Sequence, residues 1–350
     1  MNDEKLKSWE EIKQDIEKDI KNKELSDTTG ILLGNGLSCA LWENFKEPSL
    51  YKKACEQSEH PLSKEDQDLF NKDLKTTSFE RVLLALSTAR MINKRLNKEY
   101  SFIQERYESI KSALGYAVRS VHIPSTNPTK SGVLKKIRKE LLEYDFVYST
   151  NYDLLIYWAV MFEEKGKGFK DYFFKSDDNN YFDISDTEIH GNDTKILYLH
   201  GGLHLERSTS GKTIKRKYEE NKNLLDSFGQ KSSGGQEETV PLLIAEGDAE
   251  DKLKSIYSSD YLSFAYAQFA QHKGALVVFE HLLGDSDQHI LDAIKRAKPS
   301  RIAISISSKK SPAAIIQIKA ELRKKLGEAS VFFEAETHPL GSLQMRVDNT

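Results

Sequence analysis

The chain reads as an α/β protein built on a doubly wound, mostly parallel sheet, and three observations carry that reading. Short apolar runs recur at Ile31-Leu32-Leu33, Phe146-Val147-Tyr148, Ile196-Leu197-Tyr198-Leu199 and Leu276-Val277-Val278-Phe279. Unbroken apolar runs of this length fit strands buried on both faces, as parallel strands are. In the C-terminal half, strand and helix patterns alternate, which places helices on both faces of one sheet. Finally, polar turns follow the first three runs directly: Gly34-Asn35-Gly36-Leu37-Ser38, Ser149-Thr150-Asn151-Tyr152-Asp153 and His200-Gly201. The carboxyl ends of strands are where ligands of open α/β sheets bind.

The elements follow in order. Leu6, Trp9, Ile12, Ile16 and Ile20 recur at helical spacing between charged residues, predicting an amphipathic helix within residues 1–27. Its stripe packs either on the domain body or on a second subunit. One domain then spans 28–350. A helical insertion is expected at about 45–143, because the distance from the first turn to Asn151 is too long for a simple crossover. Within it, Thr77 and Glu80 have capping-box spacing before Phe79, Val82, Leu83, Leu86 and Ile92. A second helix is expected over 101–120, and a third over 132–142 after Pro124 and Pro128. The run from Leu154 to Val160 is too apolar for a half-exposed helix and should lie beneath the sheet. Residues 206–239 are rich in Lys, Ser, Gly and Glu and predict a flexible loop. Beyond them we expect strands at 241–245, 275–279, 301–306 and 330–334, and helices at 249–271, 286–297 and 311–326.

Both signs of charge are interspersed, with a net charge of −3 and 30% charged residues, so nothing favours nucleic acid as a partner. No window reaches the ~18 apolar residues that span a bilayer, and the N-terminus lacks the apolar stretch of a signal peptide. A cytoplasmic protein without membrane contact is expected. The two cysteines, Cys39 and Cys55, make no disulfide framework.

Each polar turn has a chemical and a structural reading. The glycines at 34 and 36 can permit a tight turn, or can present backbone N–H groups to a phosphate at a helix start. Asp153 suits a helix cap, whereas the Asn151 carboxamide can both donate to and accept from a ribose or a water. Imidazole is the group best matched to proton transfer near neutral pH, and two glycines after His200 allow close approach. His204 lies four residues on, but the glycine pair makes a metal-binding helix improbable, so no metal is expected. Asp285, Asp287 and His289 read as an acid-rich helix start, with Asp285 a candidate ribose contact. No Gly-x-Ser-x-Gly elbow supports a serine hydrolase.

In their order, these motifs resemble the sirtuin-like family of NAD-consuming proteins, with Pro241 to Gly247 and Leu276 to Phe279 as fainter echoes. The resemblance implies a Rossmann-like sheet and cleavage of NAD to nicotinamide and ADP-ribose. It assigns catalysis to Asn151 and His200. Contacts with NAD, as substrate, fall to Gly34, Asn35, Gly36, Ser38, Thr150, Asp153, Gly201 and Asp285. Two cysteines cannot form the four-cysteine zinc ribbon of deacetylating sirtuins. Zinc-free relatives frequently deplete NAD in anti-phage defence, which implies a partner protein as trigger and leaves a homo-oligomer open. A module that senses NAD or ADP-ribose without turnover is the alternative reading, and a zinc-free deacylase the third. Glu280-His281-Leu282 stands where related chains carry a glycine and a small hydroxyl residue near the phosphates.

Overall fold

A computed structural model describes residues 5–22, 26–46, 49–123, 132–162, 166–173, 180–185, 193–208, 210–216, 224–228, 239–245, 247–328 and 330–343. Among them, strands β1 (Thr29–Leu33), β2 (Phe146–Ser149), β3 (Phe169–Lys170), β4 (Thr194–Tyr198), β5 (Gly201–Ser208), β6 (Thr213–Lys215), β7 (Thr239–Leu243), β8 (Ala275–Phe279), β9 (Arg301–Ile306) and β10 (Ser330–Glu334) form two sheets. The larger has the order β10-β9-β8-β1-β2-β4-β3, with every neighbouring pair parallel. The chain leaves β1 toward β2 on one side and returns to β8 on the other. Such a reversal opens a crevice at the strand ends of a doubly wound sheet.

Helix α1 (Trp9–Lys21) starts at a capping box, Ser8 with Glu11. Its stripe is covered by the same chain. Leu6, Trp9, Ile12 and Ile16 are buried, and the Trp9 ring lies 5.1 Å from Phe333 of β10 and 4.6 Å from His338. Of the two readings of the stripe, packing on the domain body is the one the structure shows.

The insertion follows α2 (Asn35–Leu41) with α3 (Leu50–Glu56), α4 (Lys64–Asp68), α5 (Phe79–Arg95), α6 (Ser101–Val121) and α7 (Val133–Leu141). Ser78, not Thr77, caps α5, accepting from the Arg81 N–H. Glu80 is buried beside Arg207 of β5 rather than closing a capping box. Helices α3, α5 and α6 form a second core with Phe70, which includes Leu50, Val82, Leu83, Ile110 and Leu114, whereas α7 joins the main core through Val133, Leu134, Ile137 and Leu141. The Leu154–Val160 run becomes α8 (Leu155–Met161) and is shared. Leu155, Ile156 and Ala159 enter the main core, while Leu154 and Tyr157 enter the second.

The expected loop at 206–239 is in part ordered sheet. β5 pairs antiparallel with β6 and β7 to make the smaller sheet β6-β5-β7, so the strand expected at 241–245 belongs there and not to the parallel sheet. The polar letters that read as loop face neighbours: Thr213 Oγ1 donates to Asp260 Oδ1, and Thr239 Oγ1 to Glu206 Oε2. After the short helix α9 (Leu224–Ser227), Phe228 is buried with Leu224 and Leu225 in the second core. The rest of that stretch, 209, 217–223 and 229–238, lies outside the described residues. The single helix expected at 249–271 is two, α10 (Ala249–Tyr257) and α11 (Asp260–Phe269), because Ser259 caps a new start at the Leu262 N–H. Helices α12 (Gln288–Ala297) and α13 (Pro312–Leu326) complete the fold. No described helix is long and apolar enough to cross a membrane.

His338 anchors the seam between α1 and the sheet. Its Nδ1 accepts from the Leu340 N–H, so Nε2 carries the proton and faces the Tyr144 hydroxyl at 3.1 Å. Burial pushes its pKa from 6.5 down to about 3. Burial also depresses His122, His200, His204, His272 and His289. The unfolded chain takes up these protons below pH 6.5 and the folded chain does not. The stability they contribute is complete above that pH and is lost as pH falls toward the folded values, by roughly 1.4 kcal/mol per pH unit for each histidine. Calorimetry should therefore show a steep fall in Tm between pH 6.5 and 5. A flat Tm across that interval contradicts this account.

Candidate functional site

Parallel register sets the site. Phe279 pairs with Leu33, Leu33 with Ser149, and Ser149 with Tyr198, so four adjacent strands end in one row. Two residues beyond the row stand His281, Asn35, Asn151 and His200. The first turn after β2 is fastened to β1: the Thr150 N–H and Oγ1 both donate to the Leu33 carbonyl.

Asn151, Ser38 and Asp153 form one buried network. Ser38 Oγ donates to Asp153 Oδ2 at 2.6 Å, and its single proton is thereby used. The Asn151 group facing Ser38 must then be the amide nitrogen, which donates to Oγ at 3.0 Å. Asn151 Oδ1 is left buried with no partner. Asp153 does serve as a local cap, its Oδ1 accepting from the Leu155 N–H, but the same carboxylate also orients Ser38. His122 completes the arrangement. Its Nε2 accepts from the Leu154 N–H and its Nδ1 donates to the Ile123 carbonyl, tying the loop after β2 to the end of α6. Sequence reasoning missed His122, since a histidine at the end of an apolar helix gives no sign of the loop it will hold.

His200 sits at the bend where the chain passes from the parallel sheet to the smaller one. Gly201, at φ +69°, makes that bend, and a Cβ there would come within 2.2 Å of the Leu242 carbonyl. His200 Nε2 lies 2.8 Å from His289 Nε2 at the start of α12. Burial, then the neighbouring His289 and Lys252 charges, hold His200 well below the ordinary histidine range. Burial likewise brings His289 down to about 4. Beside them, burial would raise the Asp287 carboxyl, but His281 and Lys252 outweigh it and hold it below its ordinary value. Lys252 Nζ is 2.7 Å from Asp287 Oδ1. His204 does not join His200: its ring stacks on Tyr157 at 4.7 Å, and both its nitrogens are buried without partners.

Not every sequence candidate gathers here. Asp285 is fully exposed, 3.7 Å from Lys325, and the carboxylate beside His200 is that of Asp287. Asn35 is exposed, its Nδ2 3.4 Å from the Phe45 carbonyl. The turn amides are engaged: the Gly34 N–H donates to the Phe279 carbonyl and the Gly36 N–H to the Glu280 carbonyl. The 280–283 segment crosses directly over this turn, with Glu280 and Leu283 in left-handed conformations at φ 52° and 49°. Burial pushes the Glu280 carboxyl up from its ordinary value.

Residues 31–340 match the model of a family described as a domain of unknown function, DUF4917. The matched stretch holds all three polar turns and the 280–289 segment. No curated protein matches the chain.

The glycine turn yields a direct test. A Cβ at Gly34 would meet the Glu280 carbonyl at 2.3 Å and His281 Cα at 2.5 Å, both backbone atoms that cannot swing aside. Gly284 has open space around it. Gly34→Ala should cost about 2 kcal/mol or more in urea unfolding, while Gly284→Ala stays within about 0.5 kcal/mol of wild type. Equal stability of the two variants contradicts the crossing.

Proposed function

We propose that this chain, which belongs to the DUF4917 family, hydrolyses the N-glycosidic bond of NAD to give nicotinamide and ADP-ribose. The observation that carries the reading is the buried, unpartnered Oδ1 of Asn151 at the strand ends, beside the row position of His200. An unsatisfied buried acceptor costs about 1–3 kcal/mol, which a ribose hydroxyl or a water recovers by donating to it. Ser38 and Asp153 hold the carboxamide so that Oδ1 faces the incoming group.

In the reaction, the bond from ribose C1′ to the pyridinium nitrogen breaks with its electron pair going to nicotinamide. Positive charge develops on C1′, as in glycoside hydrolysis, and water oxygen bonds to that carbon. The proton that the water loses passes to His200, whose neutral form is the one able to accept it. Asn151 orients the water or the ribose hydroxyls, a positioning effect of the kind that makes bond cleavage effectively intramolecular.

Gly34, Gly36 and Ser38 are the proposed pyrophosphate side. In the present conformation Glu280 closes that side, so binding requires the 280–283 segment to lift. That closure fits an effector silent until a partner releases it, and the resemblance supplies anti-phage defence in the cytoplasm as the setting. It also favours a second reading, a module that binds NAD or ADP-ribose without cleaving it, because a permanently held Glu280 carboxyl would oppose a reacting pyrophosphate.

Incubation of the protein with NAD, with nicotinamide measured by chromatography, separates the two. Asn151→Ala and His200→Ala should each lower the cleavage rate at least ~100-fold, about 2.7 kcal/mol of transition-state stabilisation, with Asn151→Ala keeping the wild-type Tm. Near wild-type rates in both variants would show the assignment to be wrong. Saturable NAD binding without nicotinamide release would establish the sensing module instead.

A further inference from the structure

Where α12 begins, three ligand-type side chains converge on a point that the proposed hydrolysis uses only in part. One ligand atom from each of His200, Asp287 and His289 lies within 4.8 Å of the others. We propose that these three residues bind a divalent first-row transition metal, for which Zn2+ is the probe.

Two imidazoles and one carboxylate form a donor set that such cations accept, leaving further positions for water. The two Nε2 atoms already face one another at 2.8 Å. With metal–nitrogen bonds of about 2.0–2.1 Å, tetrahedral ligation needs them to part by only roughly 0.5 Å. Both rings are buried and their backbones are fixed. The His200 carbonyl accepts from the Ile244 N–H, and the His289 carbonyl accepts from the Tyr266 hydroxyl. Asp287 and His289 straddle the first residue of a rigid helix, a better platform for ligands than a loop. His289 Nδ1 has no partner in its buried setting, so the polar engagement of that ring is through Nε2.

Lys252 works against the metal. Its Nζ holds Asp287 Oδ1 at 2.7 Å, and its charge repels a cation. This gives the site a signature that packing alone does not have: removing Lys252 should tighten metal binding, whereas removing a ligand should weaken it. A metal here occupies His200 Nε2, so if the proposed hydrolysis is correct, the metal-loaded state and the proton-accepting state of His200 exclude each other. That consequence rests on the proposed function; the binding itself does not.

The test uses the full chain stripped with a chelator, with no NAD present. Co2+ is titrated and its visible ligand-field bands followed, then Zn2+ is added in competition. We expect one equivalent of Zn2+ to bind and to raise Tm. Asp287→Asn and His289→Ala should each weaken binding by at least ~10-fold, judged on protein with wild-type circular dichroism. Asp287→Asn is nearly isosteric and partly exposed, so it remains informative if His289→Ala does not fold. Lys252→Met should bind more tightly than wild type. No metal uptake by the wild type overturns the proposal, as does unchanged affinity in Asp287→Asn or in Lys252→Met. Because none of these readouts involves NAD, the metal site and the hydrolase reading can fail separately.

Discussion

The in-register ending of β8, β1, β2 and β4 is the constraint on which the rest of the structure depends. Parallel ladders fix Phe279, Leu33, Ser149 and Tyr198 in one row, and every residue of the candidate site is counted from it. The row is rigid because its strands are buried on both faces: Ile31, Leu32, Leu33, Val147, Tyr148, Ile196 and Leu197 are all inaccessible. A slip by one residue in any ladder would turn these side chains to the opposite face, so the packing that stabilises the sheet also fixes the alignment of the turns.

What lies beyond the row is held by different means on its two sides. Toward β4, the turns are fastened by side chains. Ser38, Asp153 and His122 tie the β2 loop to α2 and α6, and the bend at Gly201 sends the chain into the smaller sheet. That sheet is braced by the insertion through the buried Glu80–Arg207 pair and through the Tyr107 hydroxyl on the Thr239 carbonyl. Toward β8, the contact is backbone against backbone. Gly34 and Gly36 admit the 280–283 segment, which carries two left-handed non-glycine residues, and such conformations are kept only where surrounding structure over-determines them. The strained backbone of the strand-end row is therefore on its β8 side.

Much of this was legible in the sequence because it depends on local pattern. Apolar runs located the parallel strands, and the polar turns after them located Asn151, Asp153 and His200. Partnership across the chain was not legible. Asp287 and His289 read as an ordinary acidic helix start, because nothing in their neighbourhood says that α12 begins beside β4. Asp285 was preferred over Asp287, although the two differ only in which side of one short turn they occupy. The polar composition of 206–216 masked a hairpin whose Thr and Glu residues bond to distant neighbours. The glycine pair already argued against a helix that would join His204 to His200, but it gave no sign of the His204 partner, which an extended β5 makes the Tyr157 ring.

The central claim is that the strand-end row is a nucleotide site closed by the 280–283 segment. A crystal structure of the protein with ADP-ribose tests it most directly. The account predicts a ribose hydroxyl donating to Asn151 Oδ1, the pyrophosphate against Gly34 and Gly36, and the Glu280 carbonyl lifted from the Gly36 N–H. ADP-ribose bound elsewhere, or bound with the Gly36–Glu280 hydrogen bond intact, would contradict it.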